Sequence, residues 1–219
     1  MPGSKFDTAK ELMRETLRLS LYTVLFSVAT LGLGTGSALA AMYKGLFKTL
    51  KEHKRPATPF ARFIKEARFT MNQGLKALLF LVGLGLGAIL LLSWTDASFL
   101  IRLFGGFLAF ETVLLAAYIF PALAVFKFPT VLHVFTTAFL MSHYHVVTTI
   151  KVALVLALVF FGAFELTPYL LPLAFILYAF LSAIALYPMF MHHAKRIEHA
   201  KGEPSAEETP SSSTTMDEA

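Results

Sequence analysis

The chain has 219 residues, 56% of them hydrophobic, with 15% charged and a mean hydropathy of +0.65. A soluble domain carries about 45–50% apolar and about 25% charged residues. Here the surplus falls in blocks long enough to cross a bilayer, which excludes an ordinary soluble fold and points to an all-α, polytopic membrane helix bundle. Zero cysteines exclude disulfides, thiolate metal sites and a cysteine nucleophile. Net charge is +5, and Gly202–Ala219 holds five acids with no Lys or Arg, so residues 1–201 carry about +10. A basic membrane protein points to anionic lipid headgroups as its partner before nucleic acid, which is not expected.

Residues 1–16 mix Lys5, Lys10 and Arg14 with Asp7, Glu11 and Glu15, a helical lead-in with i,i+4 charge pairs. No small-x-small site follows a short apolar core, so no cleavable signal peptide is expected. Leu17–Met42 is 26 residues whose single charge is Arg18, long enough to span about 30 Å. Gly32, Gly34 and Gly36 interrupt it, and Lys44, Lys48, Lys51, Lys54 and Arg55 follow. Thr58-Pro59 starts the next helix, with Thr58 as N-cap. Phe60, Phe63, Ile64, Ala67 and Met71 then fall on one apolar face, the pattern of an interfacial helix.

The second span is read over Leu75–Trp94, with Gly83, Gly85 and Gly87 as a surface for close helix approach. Thr95–Ser98 turns the chain outside, and the third span, Phe99–Phe126, contains Glu111 and Pro121. Thr130–His145 is a second amphipathic candidate. The fourth span is Val146–Phe164 and the fifth Tyr169–Met191, within a single helical domain over residues 17–201. Gly202 onward is a Ser/Thr/Pro/Glu tail, expected to be disordered.

Nine basic residues lie from Lys44 to Lys76, eight of them between the first two spans and Lys76 at the start of the second. By the positive-inside rule, about five spans with a cytoplasmic carboxyl end fit best, with the amino terminus outside. A re-entrant first segment turning at Gly32–Gly36 is the alternative, and it returns the amino terminus to the cytoplasm.

The run Gly34-Thr35-Gly36-Ser37-Ala38-Leu39-Ala40-Ala41-Met42-Tyr43 follows an apolar segment and precedes a basic helix and Phe60-Ala61-Arg62-Phe63-Ile64-Lys65. With Tyr118-Ile119-Phe120-Pro121 closing the third span, the chain resembles the YesL family of bacterial integral membrane proteins over most of residues 17–190. That family brings no established activity. The resemblance implies a multi-pass protein of the bacterial inner membrane, of the kind often encoded beside carbohydrate-uptake and polysaccharide-degrading genes.

Glu111 is the sharpest single residue, twelve positions into its span, or about 18 Å. An ionisable group at that depth is expensive in lipid and a functional candidate; its plainer role is a protonated hydrogen-bond donor to a neighbouring helix. The glycine break could open a half-helix amino terminus at Gly36 and Ser37, with Thr30 and Thr35 adding hydroxyls for a polar solute or sugar. A packing seam of small residues is the plainer reading. Lys44, Lys48, Lys51 and Arg55 share a helix face, suited to lipid phosphates, an acidic partner or simple anchoring. His143 and His145 point about 200° apart on a helix, wrong for one metal, and neither a metal nor a cofactor is expected. The leading expectation is a non-enzymatic transporter or accessory component of solute uptake. A homo-oligomeric scaffold or channel is the alternative, and an intramembrane enzyme ranks last because no acid–base–nucleophile set emerges.

Overall fold

Residues 30–34 decide how the amino-terminal part is built. The computed structural model describes residues 5–52, 59–94, 96, 98–166 and 171–202. Helix α1 (Lys5–Ala29) ends where Leu31 (φ 52°) and Gly32 (φ 83°) both enter the left-handed region. The Leu31 and Gly32 N–H groups return to the carbonyls of Val28 and Ser27, at 3.1 and 2.7 Å, a Schellman closure that satisfies the last carbonyls of the helix. Thr30 Oγ1 donates to the Phe26 carbonyl and accepts the Gly34 N–H, at 2.8 and 3.0 Å. The chain thereby reverses, and α2 (Thr35–Glu52) runs back along α1, with Leu19 seated on Gly45 and Ser20 against Met42.

This corrects the expectation of one continuous first span over Leu17–Met42. The segment is a helical hairpin, because a left-handed closure reverses the chain where a simple kink would let it continue. Arg18 and Lys44–Lys51 therefore lie at the same end of the molecule, as the re-entrant alternative requires. Leu12, Thr16, Leu19, Thr23 and Phe26 form the buried stripe of α1, spaced at three and four residues. Leu17, Leu21, Val24, Leu25 and Val28 face outward and exposed. A helix apolar on both faces belongs in lipid contact.

Helix α3 (Phe60–Phe69) packs on this hairpin. Phe63 is buried against Phe26 and Tyr22 at ring distances of 6.4 and 5.7 Å. Pro59 occupies its N-cap position, while Thr58 lies outside the described residues. Helix α4 (Met71–Ser93) and α5 (Phe99–Val125) form a long antiparallel pair, and α6 (Val131–Tyr144) lies beside it through Phe135 on Phe80, 4.1 Å apart. Thr130 caps α6 by accepting the His133 N–H. Helix α7 (Val146–Leu166) and α8 (Leu171–Gly202) make the last antiparallel pair.

Among the described residues the architecture is all-helical, and four helices, α4, α5, α7 and α8, are long and apolar enough to cross a membrane. The sequence reading had about five spans; the difference is the α1–α2 hairpin. The tail from residue 203, together with Lys54 and Arg55, lies outside the described residues.

The close helix approach expected at Gly83, Gly85 and Gly87 is elsewhere. A methyl group on Gly83 would meet open space, and on Gly85 or Gly87 only ordinary contacts at 3.9 and 3.8 Å. On Gly36 it would fall 2.3 Å from the Gly74 carbonyl oxygen, and on Gly74 2.6 Å from the Ser37 nitrogen. Backbone therefore meets backbone where α2 crosses the start of α4.

Candidate functional site

Glu111 is buried in the middle of α5, about 18 Å from its first residue at 1.5 Å per residue. Its Oε1 lies 3.3 Å from His143 Nε2, on the last turn of α6, while Oε2 is buried without a hydrogen-bond partner. His143 Nδ1 is 2.9 Å from the Phe139 carbonyl and 3.0 Å from Ser142 Oγ. A carbonyl only accepts, so Nδ1 carries a proton. Nε2 is then either bare, accepting the Glu111 proton, or protonated and paired with a carboxylate. In either form one proton lies between the two side chains.

The same geometry bears on Ser142. With its proton on Nδ1, His143 cannot take the Ser142 hydroxyl proton, and Ser142 Oγ itself donates to the Phe139 carbonyl at 2.8 Å. The Ser–His–Glu succession is a hydrogen-bonded brace, not an activated nucleophile.

Further polar ties flank the pair. Thr149 Oγ1 donates to the Ser142 carbonyl, which leaves Tyr118 to donate to Thr149 across 2.8 Å. His145 Nε2 meets His193 Nε2 at 2.8 Å, one ring donating and the other accepting. His143 and His145 therefore serve different partners, on α5 and on α8. In α2, Tyr43 hydrogen-bonds Ser182 at 2.9 Å, and burial pushes its hydroxyl up to about 12, so the tie is between neutral groups.

The proposed solute groups around the glycine break are not gathered with Glu111. Thr30, Thr35 and Ser37 donate to the carbonyls of Phe26, Gly32 and Gly34 at 2.8, 2.7 and 2.8 Å. Gly36 faces the Gly74 carbonyl and Phe120, so α4 and α5 pack against that helix start. Phe120 is nine residues from Glu111, about 13 Å along α5. Those hydroxyls hold the turn, and Glu111 takes its partner from α6.

Sequence reasoning missed that partner. His143 was weighed only against His145 as a metal ligand, although a buried carboxyl in one apolar segment and a histidine in another are a natural pair. Lys44, Lys48 and Lys51 do share a face, and they line a cavity with Arg62 and Glu66; Arg55 lies outside the described residues.

Fold and site together define an all-helical membrane-type protein in which a buried glutamate on α5 meets a histidine exposed at the end of α6. The chain matches no protein-family model, no curated protein and no solved structure.

Proposed function

We propose that this chain is a multi-pass component of solute uptake, a carrier or its accessory subunit, in which the Glu111–His143 pair takes up and releases a proton. The observation that carries it is a buried carboxyl with one oxygen on a histidine and the other unpartnered, midway along an apolar helix. Such a group is retained at a cost that structure alone rarely repays. The resemblance to the YesL family supplies the solute class, carbohydrate, and the bacterial inner membrane as its place. Lys44, Lys48, Lys51, Lys127, Lys195 and Arg196 cluster toward one end, which supports a cytoplasmic carboxyl terminus.

Proteoliposomes holding a pH-sensitive dye test this against a panel of mono- and oligosaccharides. A responsive sugar should acidify the lumen as it enters. Glu111→Gln and His143→Gln should each slow that signal by about tenfold or more, the order expected for losing a positioned proton-transfer group. The double variant should be no slower, because the pair acts as a unit. Full rates for Glu111→Gln at every pH would end the proposal.

A second reading, a homo-oligomeric scaffold, draws on a crevice of about 840 Å³ between α5 and α7, lined by apolar groups such as Leu39, Val113, Phe120, Leu154 and Phe175. Mass measurement in detergent distinguishes a monomeric carrier from an oligomer.

A further inference from the structure

Beside the start of α3, the hairpin and the ends of two spans enclose a second cavity, of about 370 Å³. Lys44, Lys48 and Lys51 enter it from successive turns of α2, and Arg62 from α3. Among the described residues Glu66, bridged to Lys44, is the carboxylate on its wall, and Lys48 is itself engaged by a partner. Lys51 and Arg62 add two more cations to this concave space. Phe63, Val125 and Met191 supply an apolar floor, and low-dielectric walls strengthen the field of the cations above them.

The position of this cavity limits what it can hold. Val125 is the last residue of α5, and Met191 and Ala194 lie on α8 just before Lys195 and Arg196. The floor is thus where two membrane-length helices leave the hydrocarbon, at headgroup depth. Basic pockets between helices at that level suit acidic lipid headgroups. The chemistry required is a phosphate: compact, anionic, with several acceptor oxygens for a lysine and an arginine fork.

We propose that this cavity is a binding site for the phosphate headgroup of an anionic glycerophospholipid, with Arg62 and Lys51 as its ligands and the Lys44–Glu66 bridge as a wall that tempers its charge. The site is separate from the Glu111–His143 pair, and its test does not depend on transport.

The full-length protein in nanodiscs of phosphatidylcholine with a minor fraction of phosphatidylglycerol, followed by native mass spectrometry of retained lipid, reads the site directly. Wild type should retain phosphatidylglycerol over phosphatidylcholine. At about fivefold in affinity per cation near an anionic headgroup, Lys51→Gln with Arg62→Gln should weaken retention about 25-fold. Arg62→Lys in the Lys51→Gln background should regain about fivefold of that loss, and Glu66→Gln should strengthen retention by about fivefold. Lys127→Gln with Lys195→Gln, cations at the same end but outside the cavity, should change it less than about twofold. Unchanged melting temperatures in pure phosphatidylcholine would show that the variants fold.

Equal losses from the control pair would mean diffuse attraction to the membrane and overturn the site. So would undiminished retention in the Lys51/Arg62 variant. Inorganic phosphate is the competing source: if millimolar phosphate in phosphatidylcholine discs raises the wild-type melting temperature as much as phosphatidylglycerol does, the ligand is a soluble phosphate and the lipid assignment falls.

Discussion

Two helical hairpins in this chain use glycine in opposite ways. In the α4–α5 pair, of the evenly spaced glycines Gly83 faces open space and Gly85 and Gly87 make ordinary contacts with Thr112 and Leu108, while Gly105 meets only side chains, those of Leu91 and Leu92. In the α1–α2 pair, Gly45 receives Leu19, Gly34 sits under Phe26, and Gly36 presses on the Gly74 backbone. The first pair is long and held by broad apolar contact, with Leu79, Leu86 and Ile89 facing outward and exposed. The second is short, closed by hydroxyls and backbone, and locked to the start of α4. Regular glycine spacing in an apolar helix therefore marks neither a seam nor a site by itself; the glycine that matters is the one another backbone reaches.

The sharpest way to break this comparison is topological. If α1–α2 is a hairpin, Lys10→Cys and Lys51→Cys should react with a membrane-impermeant maleimide from the same side, and Ser98→Cys from the other. The cysteine-free chain makes labelling all-or-none. Lys10 and Lys51 on opposite sides would restore a continuous first span.

Stability separates the hairpins next. Gly36→Ala puts a methyl on a backbone carbonyl that cannot step aside, and overpacking of this kind costs about 1–3 kcal/mol or more. At about 2–4 °C per kcal/mol for a chain of this size, melting in detergent should fall by several degrees. Gly83→Ala, with open space around it, should gain about 0.5–1 kcal/mol from helix propensity. Equal losses at both positions would erase the distinction.

The pair that links α5 to α6 gives a smaller effect. His143→Leu strands the Glu111 carboxyl in apolar surroundings, at about 1–3 kcal/mol. Adding Glu111→Leu should recover part of that loss, so the two changes should be non-additive in thermal melting. Strict additivity would mean that the side chains do not interact.

The smallest change is at the hairpin tip. Leu31 holds φ 52° and is 91% exposed, a conformation that costs a side-chain-bearing residue about 1–2 kcal/mol. Leu31→Gly relieves it and, after the greater unfolded entropy of glycine, should stabilise by about 0.5 kcal/mol. A net loss would show that the leucine side chain in lipid outweighs its backbone strain.

Much of the helical layout was legible before any coordinates. Pro59 stands at the start of α3, where the Thr58-Pro59 signal predicts a helix, and α5 and α7 begin where the apolar runs begin, at Phe99 and Val146. A polar residue before an apolar run carries its own local physics. The direction of the chain after residue 30 was harder to read. Three glycines announced a break, but reversal rests on Leu31, whose type gives no hint of a left-handed backbone. The Glu111–His143 contact was hidden because its members are 32 residues apart and meet only through the docking of α6 on α5. Gly74 looked like one more small residue until α2 crossed it. Each missed feature depends on a contact between elements rather than on order along one of them.

The Gly36–Gly74 crossing also has a consequence for how the protein is made. A chain enters the membrane in the order of its synthesis, and the hairpin is complete at Glu52 while its docking partner is 38 residues behind Gly36. Among the described residues, the Gly74 carbonyl is the nearest group to a methyl placed on Gly36. Until the first turn of α4 has been made, the hairpin has no Gly74 backbone to pack against, so the amino-terminal helices, though first to be made, take their place against a residue that comes later.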